Sequence, residues 1–189
     1  MNEILSKPTL HKASMAAAVL LGVICFSACA VGRFHTKDRI LEENFFSHER
    51  DFRSLLEEVN NEEGLEMVSF DSVRYRGKSV SIKGDDLSPL KESGFTAERW
   101  RFYQEKMQLL GLRGGIYKGA DGVAFRVDPG TLSNGDSYKG YQYALSEPAR
   151  VIGELDSYSI APVDRLSSGG WLVTKHLSGN WYLYLFVAG

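Results

Sequence analysis

Four histidines, 24 carboxylates and two cysteines are the groups from which this 189-residue chain could build a reactive centre. His35, His48 and His176 follow no common metal-ligand spacing, so no metal site is expected. His48 stands in Ser47-His48-Glu49-Arg50-Asp51, which reads as a solvated polar face at the head of a helix. His176 falls near the end of a strand beside a turn, where Asp128 or Asp136 could hold it as a base, although no spacing demands either partner. The doublets Glu42/Glu43, Glu57/Glu58, Glu62/Glu63 and Asp85/Asp86 are poor acid–base pairs. Adjacent residues point in different directions, whereas a working pair must face across a substrate. They read as solvated surface, and Asp85/Asp86 alone has too few oxygens for calcium. No G-x-S-x-G, H-E-x-x-H, Walker, G-x-G-x-x-G or EF-hand pattern occurs. The inventory points to a domain without cofactor whose role is not catalytic.

The most suggestive stretch is Asp128-Pro-Gly-Thr-Leu-Ser-Asn-Gly-Asp-Ser-Tyr-Lys-Gly-Tyr141. It reads as a long loop from Asp128 to Gly140 between two strands, where binding residues are commonly mounted. Tyr138, Lys139, Tyr141 and Tyr143 are the candidate ligand or partner surface, and Tyr182 and Tyr184 could extend it toward a sugar or a peptide. Tyrosine is also a favoured strand residue, so the same rings suit a sheet interior.

Helices and strands must position these groups. Phe45, Phe52, Leu55, Leu56 and Val59 recur near helical spacing and predict one amphipathic helix from about Glu43 to Asn60. Met67–Tyr75 and Ser79–Ile82 read as a hairpin about Arg76-Gly77-Lys78. Thr96 is a suitable N-cap for a second helix carrying Trp100, Tyr103, Met107 and Leu110, which Gly111 ends. Strands follow at Gly115–Lys118, Val123–Val127 and Tyr141–Leu145, with a turn at Gly119-Ala120-Asp121-Gly122. Pro148, Val151, Ile152 and Leu155 suggest a short helix. A last hairpin pairs Trp171–Leu177 with Trp181–Val187, and apolar residues on both sides of the final strand mark it as central. The fold class is α+β, with two main helices packed on a mainly antiparallel sheet in a single domain over residues 43–189.

The first 28 residues have a different character. Lys7, His11 and Lys12 precede an unbroken apolar run, Met15 to Phe26, and then small residues, the order of a bacterial export signal. Phe26-Ser27-Ala28-Cys29 resembles the lipobox of bacterial lipoproteins, with Phe26 where that pattern usually has Leu. The resemblance implies that Cys29 is acylated on its sulfur and becomes the N-terminus. Ala30, rather than Asp, then implies outer-membrane sorting. Two other endings are open: ordinary cleavage after Ala30, and an uncleaved anchor. Residues 29–42 read as a tether.

The chain's net charge of −2 and its lack of any Lys/Arg run argue against nucleic acid or a polybasic membrane patch. Cys25 lies within the export run, so only Cys29 would remain and no internal disulfide is expected. Phe52-Arg-Ser-Leu-Leu, Lys139-Gly140-Tyr141 and Gly179-Asn180-Trp181-Tyr182-Leu183-Tyr184 resemble features of small bacterial envelope proteins, which implies an exported context and no particular activity. The expected partners are the membrane, through the lipid, and an envelope protein. An inhibitor or immunity-type lipoprotein and a small envelope hydrolase are the rival readings.

Overall fold

The computed structural model describes residues 35–84, 86–132, 135–157 and 171–187. Among these, four helices and eight strands follow one another: α1 (Asp38–Ser47), α2 (Glu49–Asn61), β1 (Leu65–Val68), β2 (Ser72–Tyr75), β3 (Lys78–Ser81), α3 (Ser88–Ser93), α4 (Ala97–Leu110), β4 (Gly115–Gly119), β5 (Gly122–Leu132), β6 (Gly135–Ala144), β7 (Trp171–Ser178) and β8 (Trp181–Val187). The strands form one antiparallel sheet in the order β3-β2-β1-β4-β5-β6-β8-β7. Hairpins build most of it. Arg76 and Gly77, with φ of 50° and 74°, make the two-residue β2–β3 turn, whose left-handed conformation matches strand twist. Gly179-Asn180 joins β7 to β8. β8 inserts between β6 and β7, and five consecutive residues, Trp181 to Leu185, are buried, as a strand covered on both sides requires.

The core lies between the helices and one face of the sheet. Phe45 of α1 and Phe52 of α2 pack on Tyr141 and Trp181, with ring centroids 4.6 Å apart for Phe52–Tyr141 and 5.3 Å for Phe45–Trp181. Phe125 joins the cluster 5.5 Å from Trp181. Such aromatic pairs each contribute about 0.5–1.5 kcal/mol beyond their buried area. On α4 the predicted stripe Trp100, Tyr103, Met107 and Leu110 is the buried one. Thr96 Oγ1 accepts from Arg99 N–H, and after the helix Gly111 (φ 69°) and Leu112 donate back to the Gln108 and Met107 carbonyls. That closure uses the orphan carbonyls and needs a glycine for its positive φ.

Five expectations change. The expected run Met67–Tyr75 is two antiparallel strands, β1 and β2, turning between Val68 and Ser72. The first helix is two, α1 and α2, broken at His48, whose Nδ1 donates to the Asn44 carbonyl and so competes with the helical ladder. Ordered structure also begins before residue 43. Asp38 and Leu41 are buried, so the expected tether at 29–42 loses its last residues to α1. The expected loop Asp128–Gly140 is instead the far half of a long hairpin, paired from Asp128↔Lys139 to Leu132↔Gly135. β4 pairs with β5 only as far as Gly115↔Arg126, so Pro129 falls where β5 has an open edge and can tolerate a residue without N–H. Finally, Val151 forms an isolated parallel bridge to Thr174 in place of a helix. Ile152 N–H and the Arg150 carbonyl pair with Thr174, which covers part of the β7 edge.

Candidate functional site

Strand β6 sorts the predicted surface residues onto two faces, because successive side chains alternate. Ser137, Lys139, Tyr141 and Tyr143 face the helices, and Tyr138, Gly140 and Gln142 face the other way. Lys139 and Tyr141 are buried, with Lys139 only 2% exposed, so the four do not form one accessible surface. Tyr141 donates its phenol to the Leu41 carbonyl and accepts from Asn44 Nδ2, which also reaches the Leu110 carbonyl. Burial pushes that phenol up to about 12, against the opposing Asn44 hydrogen bond. It is a structural link between α1, α4 and the sheet.

Lys139 is the centre of an ionic network. Its Nζ lies 2.6 Å from Asp38 Oδ1 and 2.6 Å from Asp156 Oδ1. Asp38, 3% exposed, also accepts from Leu155 N–H, while its own backbone N–H donates to Asp156. Lys175 extends the set, 2.5 Å from Glu42 and 3.7 Å from Asp38. Burial favours a neutral Asp156, but the Lys139 ammonium and the Asp38 backbone N–H outweigh it and hold its carboxyl below the usual range. The Glu42 hydrogen bond holds Lys175 above its usual value. Glu42 is thus bonded inward and not solvated surface. Removing one partner from such a buried set leaves an uncompensated charge, so the network locks α1 to β6, β7 and the segment around Asp156.

A bulge sets up the neighbouring contacts. Arg126 pairs with Gly140 and Asp128 with Lys139, so Val127 is an extra residue on β5. Gly140 permits this, since a Cβ there would lie 2.1 Å from the Phe125 carbonyl oxygen. Beyond the bulge Asp128 is turned to the helix face, where it accepts from Thr36 N–H and pairs with Arg113 at 2.6 Å. Ser137 bonds His35 Nε2 at 2.8 Å. Burial lowers the His35 pKa, and Lys139 adds to that against the opposing Asp128 charge.

The histidines do not converge. His48 bonds within its own turn, and His176 bonds the Gly179 carbonyl and lies edge-on to Tyr182. Asp128 belongs to Arg113 and Thr36, so His176 does not have it as a partner. The Asp136 side chain, Asp85 and Cys29 lie outside the described residues. Among the described residues no group of His, Cys, Asp and Glu could hold a metal, and no helix is long and apolar enough to cross a membrane.

The sheet face away from the helices carries the arrangement that sequence reasoning missed. The Arg126 guanidinium lies 3.7 Å from the Tyr117 ring centroid on one side and 3.9 Å from that of Tyr138 on the other. Tyr138 stacks in turn on Phe186, 6.0 Å away and 19° from parallel. The row runs Tyr117, Arg126, Tyr138, Phe186, and Leu172 pairs with Phe186 at its end. Tyr184 sits across Gly140 from Arg126 in the register and is 4% exposed. Burial raises its phenol, against the opposing charge and side-chain hydrogen bond of Arg126. The Tyr184 oxygen and Arg126 Nε, both buried, lie against each other, but neither has a hydrogen-bond partner of good geometry. Beside this row lies an open concavity of about 390 Å³ lined by Met67, Arg74, Tyr117, Ala124 and Gln142. The sequence signal was Arg126 itself, an outward position in Val123-Ala-Phe-Arg-Val127, with tyrosines on both neighbouring strands.

No family model matches the chain, and comparison with curated proteins and with solved structures finds no significant similarity.

Proposed function

We propose that the chain is a bacterial envelope lipoprotein, anchored through Cys29 at the periplasmic face of the outer membrane, whose single α+β domain acts by binding and not by catalysis. The lipobox-like Phe26-Ser27-Ala28-Cys29 and the Ala30 that follows support the anchor. The observation that carries the binding role is Arg126, partly exposed and held between two tyrosine rings on the sheet face away from the helices. The polar groups that do converge, around Lys139, are buried and paired with each other, which supports a structural role for them. From Cys29 to the first described residue, His35, the chain can span at most about 20 Å, so the domain would work close to its membrane.

Wild type and Cys29→Ala, expressed side by side, fractionated and weighed intact, test the anchor. The expected result is acyl-shifted, membrane-bound wild type and a variant that does not mature in this way. Two soluble products beginning at Val31 would overturn it.

A further inference from the structure

We propose that Arg126 and Tyr184, framed by Tyr117 and Tyr138, form a binding site for a carboxylate carried on a small molecule with a planar or apolar body. This deepens the binding role proposed above and rests on it. Three observations lead to it.

The first is the means by which Arg126 is held. Among the described residues Arg126 pairs with rings and with no carboxylate, whereas Lys139, Lys175 and Arg113 each pair with at least one. Ring faces stabilise a cation without neutralising it, so its charge remains available to an anion. The second is the donors. Arg126 Nε–H and the Tyr184 oxygen are both buried and lie against each other without a hydrogen bond of good geometry, and the Tyr184 O–H has no acceptor. A ligand acceptor drawn in at the guanidinium edge supplies the acceptor that the Tyr184 O–H lacks. Arg126 as a whole is partly exposed while its Nε is closed over, so a ligand meets the outer guanidinium nitrogens first.

The third observation is shape. Tyr117 and Tyr138 cover both faces of the guanidinium, which leaves approach only along its edge, in its plane. A carboxylate is planar and matches that edge with two parallel hydrogen bonds. A phosphate is tetrahedral, and its out-of-plane oxygens would meet the rings. Past Tyr138 the row continues into Phe186 and then Leu172, itself 43% exposed, which supplies an apolar shelf for the rest of the ligand.

Benzoate tests the site, with benzamide as a neutral control of the same shape and phenyl phosphate as a tetrahedral one. Each is titrated into the full-length chain in detergent and followed through the Arg126 Nε–H and tyrosine ring resonances. Benzoate is expected to bind with a millimolar Kd and to shift Arg126, Tyr117, Tyr138 and Tyr184, while benzamide leaves them in place. Arg126→Lys keeps the charge and loses the planar fork, and should weaken benzoate about tenfold. Tyr184→Phe removes one oxygen from an otherwise unchanged ring and should weaken it several-fold. Silence toward benzoate, equal shifts with benzamide, or undiminished binding by Arg126→Lys would each overturn the proposal. So would tighter binding of phenyl phosphate, which would reassign the site to phosphate. The Cys29 fractionation reads none of these signals, so the anchor and the carboxylate site fail separately.

Discussion

Lys139 and Arg126 occupy neighbouring strands, one register step apart, and lie on opposite faces of the same sheet. Lys139 is buried under the helices and held by two carboxylates at 2.6 Å. Arg126 lies on the face away from the helices and is held by two aromatic rings at 3.7 and 3.9 Å. The first arrangement neutralises its cation and converts it into a fastening, and the second fixes a side chain while leaving the charge in place. A charged residue in a strand thus becomes architecture or recognition according to what surrounds it, with chemical type a poor guide. The lysine singled out from the sequence is the architectural one.

The largest test of this contrast is Lys139→Ala. It strands the Asp38 carboxylate in the core and should cost about 3–5 kcal/mol in urea denaturation. A double-mutant cycle with Asp38→Ala should return a coupling energy of about 1–3 kcal/mol. A loss below about 1 kcal/mol, the value of an exposed ion pair, would make the two cations alike. Gly140→Ala comes next, since its methyl group meets the Phe125 carbonyl and must open the β5–β6 ladder. Overpacking of this kind costs about 1–3 kcal/mol, and both faces should feel it. Arg126→Met retains the side-chain stem and loses the cation, so it should cost only about 1 kcal/mol of stability.

The smallest effect is in pH. Burial leaves His35 with a lower pKa in the folded chain than its ordinary 6.5, so the unfolded chain takes up the proton first. Stability is therefore full above 6.5 and declines as pH falls from there through the lower folded value. His35→Asn should remove that slope in denaturation midpoints measured across mildly acidic buffers. Arg126→Met should leave it intact, because it belongs to the helix-side face. A second decline, as the depressed Asp156 carboxyl titrates, belongs below about 3.8.

Where signals are local, the sequence was readable. α4 runs from its Thr96 cap to the Gly111 closure with the predicted stripe inward, because cap, spacing and terminator all lie within sixteen residues. β8 was recognisable from apolar residues on both of its sides. The length of the β5–β6 hairpin was hidden, since Pro129, Gly130 and Gly135 carry the composition of a loop while their pairing depends on cross-strand partners. The burial of Lys139 was hidden for the same reason. Its carboxylates come from a distant helix and from a segment beyond the strand, and no spacing in the chain announces them. Arg126 showed only as an outward arginine in a strand, and the rings that give it meaning come from β4 and β6.

The extra residue at Val127 has a consequence for how charge is partitioned. Strand alternation has a phase, and the bulge reverses it partway along β5. In strict alternation Asp128 would emerge beside Arg126, the two would discharge each other, and Arg113 and the Thr36 N–H would lose their acceptor. One supernumerary residue keeps acid and base on opposite sides of a single layer of backbone. Deleting Val127 would therefore keep Asp128 opposite Lys139, whereas a change that forced Val127 into the ladder would leave every side chain chemically unaltered and still erase the positive charge beside Tyr117 and Tyr138.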